Sequence, residues 1–484
     1  MNPTVRSTRM RPARKPARTT SRARTSQGRP PSTEEIVRRN AARLRWKGFC
    51  LRILQALLIA GLTAIVWLWW RDGGISGVHN VGEGFTSFGR ITGLIAGYLL
   101  ALQVLLLARL PVLEWTAGFD RLTRWHGLNG KATFYVIVAH VVLITIGYAM
   151  TRGVSIFAEI PLLLSGYYGM VAAVIGTAFL IVVSGTSIAI VRGRVRYEWW
   201  YLVHLLTYVG LALVWFHETA TGLDFIANPW ATAWWTGLYL LTLQLLILFR
   251  IAQPVIRAFV HQLRVTRVVT EAPGVVSVHM TGKHLDWLSP RAGQFFLWRF
   301  LAPGLALESH PFSLSAAPDG KAFRITVRQL GDFTRKLSTL RQGTRVFAEG
   351  PFGGVTEDTR SHTGVALIAG GIGITPLRAM AGVLTGDVVL IYRVLHDSDI
   401  VFREELEALA SRRHFKIHYV VGDHRDPKNR DLLSPDHLRR MVPDLARRDV
   451  YLCGPPAMVD TLEPNIRAAG VSSAHIHVER FALA

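Results

Sequence analysis

Six long apolar stretches crowd the first half of the chain, at about 49–70, 90–108, 125–150, 167–191, 199–217 and 231–250. Each is long enough to cross a hydrocarbon core of about 30 Å as a helix. From about residue 262 the period changes. Runs such as LRVTRVV, VVSVHM, QFFLWRF and FRITVRQL, broken by Gly, Pro, Asp and Asn, predict a small antiparallel β-barrel over 262–360. Beyond 364, strand-like runs at 365–369, 388–392, 417–421 and 450–453 alternate with helical segments, and the chain closes on a strand-like 475–481. That alternation predicts a parallel sheet in an α/β, Rossmann-like domain over 364–484. The expected order is therefore a basic arm (1–48), a six-helix transmembrane bundle (49–252), an antiparallel β-barrel and an α/β domain.

The third and fifth stretches carry two histidines each, His126 and His140, then His204 and His217, spaced 14 and 13 residues apart. On a helix 14 residues rise about 21 Å, so each helix places one imidazole near either face of the membrane. A lone histidine in a membrane helix commonly caps a carbonyl, lines a water pocket or bonds a neighbouring helix. Two matched pairs on segments that run in the same direction instead suit two stacked haems with bis-histidine ligation. Zinc or copper fits less well, because ligands about 21 Å apart on one helix cannot share an ion and no cysteine or carboxylate accompanies them.

Loop charge sets the expected orientation. Arg109, Arg121 and Arg124 lie in one connection and Arg192, Arg194 and Arg196 in another, which the positive-inside bias places in the cytoplasm. The 218–230 loop holds Glu218 and Asp224 without Lys or Arg, and the 71–89 loop has one arginine against Asp72 and Glu83, so both face outward. His126 then pairs with His204 at the inner face and His140 with His217 at the outer. An even number of spans leaves both termini and the soluble half on the cytoplasmic side of a multi-pass cell-membrane protein.

The formal charge of +22 resembles a nucleic-acid signature, yet residues 1–48 hold 14 Lys and Arg against two Glu, so +12 sits in the first tenth of the chain. This Arg-, Pro-, Ser- and Thr-rich arm is expected to be disordered, to reinforce topology and to touch anionic lipid headgroups; specific nucleic-acid binding is not expected. The apolar run behind it is long and has no convincing small-residue cleavage site, unlike a signal peptide. Only Cys50 and Cys453 are present, too few for a disulfide framework or an iron–sulfur cluster.

In the soluble half, His310-Pro311-Phe312-Ser313-Leu314-Ser315 follows one strand and Gly331-Asp332-Phe333-Thr334 another. A donor, an aromatic plane and a hydroxyl suit a flavin's diphosphate, ring and N5 edge, and a glycine turn bares amides to phosphate. Alone, each motif is weak: Phe312 equally suits a core and GDFT a simple turn. Gly370, Gly371 and Gly373, with Thr375 and Pro376, open a helix after a strand, as a pyrophosphate-binding turn does. Arg393 ends the next strand where a guanidinium can take a 2′-phosphate, favouring NADPH over NADH, although an ordinary surface charge also fits. Cys453, Gly454 and Pro455 stand at the carboxyl end of a further strand, facing the ligand crevice. There the Cys453 thiol either meets a nicotinamide or is a small buried residue.

The order of these pieces resembles the ferric reductase and NADPH oxidase superfamily over about residues 50–484. The histidine spacing matches that family's haem ligands, HPFSLSAAP (310–318) its flavin signature, GGIGITP (370–376) its nicotinamide-cofactor turn and CGPPAM (453–458) its nicotinamide-side turn. The resemblance implies FAD, two b-type haems and NADPH as cofactors, NADH being possible. By the same resemblance His310 contacts the FAD phosphate, Phe312 stacks on the flavin, Ser313 bonds near N5 and Phe481 covers the isoalloxazine. Here Ala482, Leu483 and Ala484 follow that aromatic, and Gly210 and Leu211 stand where some relatives carry an aromatic between the haems, leaving Tyr208, Phe134 or Tyr135 to bridge.

The expected reaction is hydride transfer from NADPH to FAD, then single-electron steps through both haems to an external small-molecule acceptor. Oxygen giving superoxide is the first candidate and a ferric or cupric chelate the alternative, with His79, Glu83 and Asp72 at hand on the outer loop. Arg121, Arg124 or Arg192 is placed to hold the inner propionates and Arg90 or Arg152 the outer ones. No calcium-binding loop or partner-docking segment is evident in the basic arm, so constitutive activity without an obligatory regulatory protein is expected. Two rivals remain: a haem-binding membrane sensor with a degenerate flavin domain, and a soluble-type reductase merely tethered to the membrane.

Overall fold

The computed structural model of the protein describes residues 32–480, apart from 192, 195, 196, 227 and 424. Its amino-terminal half is helical: α1 (Thr33–Trp69, ending in a π turn, Trp70–Gly74), α2 (Val81–Leu106), α3 (Pro111–Thr116), α4 (Phe119–Arg152), α5 (Ile156–Gly166), α6 (Met170–Val191), α7 (Tyr197–Thr221), α8 (Leu223–Ile226), α9 (Pro229–Leu246) and α10 (Gln253–His261). Six of the helical segments among the described residues are long and apolar enough to cross a membrane. Leu57, Trp67, Tyr135 and Val141 are among the apolar side chains left open on their outer faces.

Helix α1 corrects one expectation. Residues 33–48, read as part of a disordered arm, are its first turns. A capping box starts it: the Ser32 side chain accepts from the Glu35 amide at 3.2 Å and the Glu35 carboxylate accepts from the Ser32 amide at 2.9 Å. At 37 residues it is about 55 Å long, well over a hydrocarbon thickness, so its amino-terminal turns reach past the bundle. There Asn40 donates to the carbonyls of Glu357 and Arg360, at 3.3 and 3.2 Å, and Arg43 pairs with Asp358.

Helices α2 and α4 pack over much of their length, and α7 lies along α6. Small residues allow the first contact: a Cβ at Gly89 would stand 2.7 Å from the Ile144 side chain, and one at Gly147 2.3 Å from Thr86 Oγ1. The two histidine helices, α4 and α7, do not pack along one another.

The middle unit is antiparallel: β1 (Arg264–Ala272), β2 (Val275–Thr281), β3 (Phe295–Phe300), β4 (His310–Ser313), β5 (Ala322–Arg328) and β6 (Val346–Phe352), with the short helix α11 (Asp332–Lys336). These strands form two three-stranded sheets, β1-β2-β5 and β4-β3-β6, joined at the isolated bridges Arg264↔Arg345 and Leu314↔Ile325 rather than by one continuous ladder. Phe296, Trp298, Phe300, Phe323 and Met280 fill the space between them.

The last unit is a fully parallel sheet in the order β11-β10-β7-β8-β9, made of β7 (Gly364–Gly370), β8 (Asp387–Val394), β9 (Lys416–Val421), β10 (Arg448–Gly454) and β11 (Ile476–Arg480). Helices α12 (Ile374–Ala381), α13 (Arg403–Arg413), α14 (Pro435–Met441) and α15 (Pro456–Ala468) complete it. Both sheet faces are covered: Val365, Leu367 and Ala369 enter one core, Ala366 and Ile368 the other.

Candidate functional site

The candidate residues fall in four regions: a crevice at the carboxyl edge of the parallel sheet, a ring cluster in the β unit, an aromatic junction between the β unit and α4, and the histidines of α4 and α7. In the crevice, β7 ends at Gly370 and a single 3-10 turn, Gly371–Gly373, leads into α12. Gly371 has a φ of +52° and open space where a Cβ would sit, so an anion can reach the backbone there. A Cβ on Gly373 would stand 2.2 Å from the Cys453 carbonyl oxygen, and one on Gly370 2.1 Å from Met458 Sδ. The two glycine-bearing turns are thus packed main chain to main chain. Thr375, buried, donates through Oγ1 to the Ile372 carbonyl at 3.0 Å, and buried Pro376 continues the helix.

Cys453 is fully buried, and burial together with the Glu479 charge pushes its thiol well above the usual range. Glu479, opposite Cys453 in the β10–β11 register, had no sequence signal. Burial, with the Asp120 charge adding to it, raises its carboxyl to about 8. The folded protein therefore keeps a proton there that the unfolded chain releases near its ordinary value of about 4.3. Stability from this group is full below about 4.3 and is lost as pH rises through about 8. In thermal melts the wild type should lose ground to Glu479→Gln across that window; parallel curves would count against the buried proton.

The two weak motifs of the β unit meet. The His310 and Phe333 ring centres are 3.9 Å apart, and Phe312 is stacked with both, 6.3 Å from each. His310 Nε2 also lies 3.0 Å from Glu308 Oε2. At Gly331 a Cβ would meet nothing within 4 Å, and Thr334 Oγ1 holds the turn by accepting from the Leu330 and Gly331 amides at 3.0 and 2.9 Å. Asp332 pairs with Arg335 at 2.5 Å. His310, Pro311 and Phe312 are half-buried on β4, whereas Ser313, Leu314 and Ser315 are buried. Leu314 belongs to the β-unit core, and the Ser315 hydroxyl is engaged with Arg324 and Thr326.

Other expected residues are already engaged. Arg393 spends its guanidinium on the carbonyls of Val394, Val420 and Gly422. A 2′-phosphate there would have to displace those carbonyls. Arg90 is paired with Asp224 at 2.5 Å and Arg152 with Glu159 at 2.9 Å. Asp72 pairs with Arg71, and Glu83 accepts from the His79 amide at 2.7 Å. Arg121 and Arg124 are exposed near the His126 end of α4. Phe481 and Arg192 lie outside the described residues.

The junction was missed because its parts are far apart in sequence. Phe119, first residue of α4, is stacked on Phe352 at 5.5 Å and edge-on to Phe295 at 5.9 Å. Buried Arg109 lies over Phe119 and Phe352, at 4.6 and 4.5 Å, with its Nε 2.9 Å from Glu349 Oε1. That contact is a close ion pair and not an aligned hydrogen bond. Arg250 also reaches Glu349, at 3.0 Å, and Arg257 donates to the Gly350 carbonyl at 2.5 Å. Seven residues further along α4, about 10 Å, stands His126. Arg109→Ala should slow electron passage from the β unit into the helical unit while leaving NADPH-to-dye activity intact, and cost roughly 3 kcal/mol through a half-stranded buried charge. Stopped-flow traces and melts would check both effects.

His126 and His204, from helices otherwise apart, bring their ring centres to 6.1 Å. A haem iron, if bound there, would be held by these two imidazoles, one from each helix. His126 Nδ1 faces the Gln103 carbonyl at 3.0 Å, His140 Nδ1 the Gly89 carbonyl at 2.7 Å and His217 Nδ1 the Thr221 hydroxyl at 3.0 Å. Each bond fixes the ring and leaves Nε2 for an ion, the usual outer support of a ligating histidine. Among the described residues, His204 Nδ1 is buried without a hydrogen-bond partner. His126 and His204 fit one bis-histidine site, and His140 and His217 each have Nδ1 anchored in the manner of a ligating histidine.

Residues 92–215 match the ferric reductase like transmembrane component family, 260–356 an FAD-binding domain and 367–463 an oxidoreductase NAD-binding domain. Ferredoxin–NADP reductase B of Sorangium cellulosum (strain So ce56) is 31% identical over 189 residues, 35% of this chain and 77% of that protein. NADH-cytochrome b5 reductase 1 of Coccidioides immitis (strain RS) is 28% identical over 180 residues, 34% of this chain and 58% of that protein. The chain spans between 51% and 64% of the length of several curated relatives. Among solved structures, the flavohem-like FAD/NAD binding domain of nitric oxide dioxygenase from Vibrio cholerae O1 biovar El Tor superposes with a TM-score of 0.37 at 21% identity, covering 46% of this chain and 98% of that one.

Proposed function

Since the chain belongs to the ferric reductase and NADPH oxidase superfamily, with its transmembrane, FAD-binding and NAD-binding parts in one polypeptide, we propose that it moves electrons from cytosolic NADPH across the cell membrane to a small acceptor, oxygen first and a ferric chelate second. The observation that carries this reading is the 6.1 Å approach of His126 and His204 at the end of α4 that also touches the β unit through Phe119. FAD, when bound, turns two-electron hydride chemistry into single-electron chemistry, and haem irons relay single electrons.

The chain's own residues do the rest. Gly371 and Gly373 let the backbone meet a pyrophosphate at the start of α12, and buried Cys453 walls the nicotinamide side. His310, Phe312, Phe333 and the Gly331 turn hold the flavin, with Ser313 near its N5 edge. Phe119, Phe352 and Arg109 seat the β unit on α4, excluding water between the flavin domain and the first histidine pair. His126 with His204, and His140 with His217, hold the haems, the first pair on the cytoplasmic side. Arg121 and Arg124 are placed for propionates there. NADPH is the proposed donor, with NADH as second.

The acceptor is tested on NADPH-reduced protein in liposomes. Rapid oxygen-driven reoxidation with superoxide dismutase-sensitive dye reduction supports the oxidase reading; slow reoxidation by oxygen with fast discharge by an impermeant ferric chelate replaces it with a metalloreductase.

A further inference from the structure

At the amino edge of the parallel sheet, away from the cofactor crevice, three segments converge that the electron path does not use. The loop before β7 brings Ser361 and His362, β10 brings Asp449 near its start, and the turn into β11 brings His475, with His477 on that strand. His362, Asp449 and His475 each offer a ligand atom within 4.8 Å of the others. His362 Nδ1 stands 3.6 Å from Asp449 Oδ2, and His475 Nδ1 3.5 Å from Asp449 Oδ1. A tetrahedral zinc with bonds of 2.0–2.1 Å sets neighbouring ligands about 3.3 Å apart.

Two further features point to a cation. His362 Nδ1 is buried and has no hydrogen-bond partner among the described residues. Asp449 is fully buried, and its Oδ2 accepts from the Ser361 and His362 amides at 2.7 and 2.5 Å, which fixes the carboxylate between the two histidines. His477 Nε2, 3.1 Å from Asp449 Oδ1, orients the carboxylate as outer partners of metal ligands do.

We propose that His362, Asp449 and His475 form a binding site for a divalent transition-metal ion, zinc by preference. Two imidazoles and a carboxylate are a donor set for Zn²⁺, with water completing the tetrahedron. Ser361 Oγ donates to Asp449 Oδ1 at 2.8 Å and so accepts from His475 Nδ1 at 2.9 Å; binding requires that nitrogen to lose its proton and turn from Ser361, and the ion to take the place of the hydroxyl on Asp449. The site lies about 20 Å along β7 from the glycine turn, so its role is structural. It ties together β10, the entry to β11 and the 357–362 loop on which Asn40 and Arg43 of α1 dock.

The test uses the full chain without a polyhistidine tag, chelator-stripped in detergent and titrated with Zn²⁺ alone by calorimetry, followed by elemental analysis. One zinc per chain is expected, with affinity at least about tenfold weaker in His362→Ala and in His475→Ala at unchanged circular dichroism and flavin absorbance. Both histidines are partly exposed, so these variants spare the hydrogen bonds that Asp449→Asn would break. No stoichiometric zinc in the wild type, or equal zinc uptake in both variants, overturns the site and leaves a hydrogen-bonded cluster.

Discussion

Replacing His204 with alanine should reduce NADPH-driven reduction of an impermeant external acceptor by about 100-fold or more, because one side of the proposed bis-histidine site disappears. Reduction of a dye on the NADPH side should stay within about twofold, since the flavin and nicotinamide regions are untouched. His126→Ala should behave alike. Their partnership is specific: α4 and α7 do not pack along each other, yet they deliver two imidazoles to 6.1 Å. His217→Ala removes the second pair and should also block the external acceptor, while the first pair still reduces. Proteoliposomes with NADPH and acceptor on opposite sides separate these outcomes. External transfer unchanged in His204→Ala would restore the tethered-reductase reading.

Gly373→Ala should lower the rate of flavin reduction by NADPH by about 100-fold, as misplacement of a bound reactant by an ångström can do. Its Cβ would lie 2.2 Å from the Cys453 carbonyl oxygen and 2.8 Å from the Gly454 amide nitrogen, both main chain of a central strand. Neither can rotate away, so the phosphate turn or the end of β10 must move. Gly371→Ala is the comparison: its Cβ meets no protein atom, so its loss comes from the left-handed backbone, roughly 1 kcal/mol, and from a methyl standing in the space an anion would use, with the main chain of β10 undisturbed. A milder loss is expected there. Stopped-flow flavin bleaching measures both, and equal rates in Gly373→Ala and wild type would show that the turn does not set the nicotinamide position.

The spans and the parallel strands were legible because length, hydropathy and period are local. The helical start at Thr33 carried a local signal too, the Ser32-Thr33-Glu34-Glu35 capping box, but the basic composition around it argued for disorder. Strand β6 was missed because Gly350 and Pro351 break its apolar run, although Val346, Gly350 and Phe352 are buried. His310-Pro311-Phe312-Ser313, expected after a strand, forms β4 itself.

The candidate sites divide in the same way. Contiguous motifs and the histidine spacing could be read directly. The contact of His310 with Phe333 joins motifs more than twenty residues apart and depends on how β4 and α11 come together. Arg393 shows the converse: the strand end supplies three carbonyls, and the nearest guanidinium takes them. Arg109, Glu349 and Phe119 became a unit only when the β domain docked on α4.

The most direct test of transmembrane electron flow is anaerobic addition of NADPH to the purified full chain supplied with FAD, watching the flavin and haem absorption bands. Flavin bleaching is expected first, followed by complete reduction of two low-spin, bis-histidine haems per chain. Preparations without haem bands, or haem bands that stay oxidised while the flavin is reduced, would contradict it.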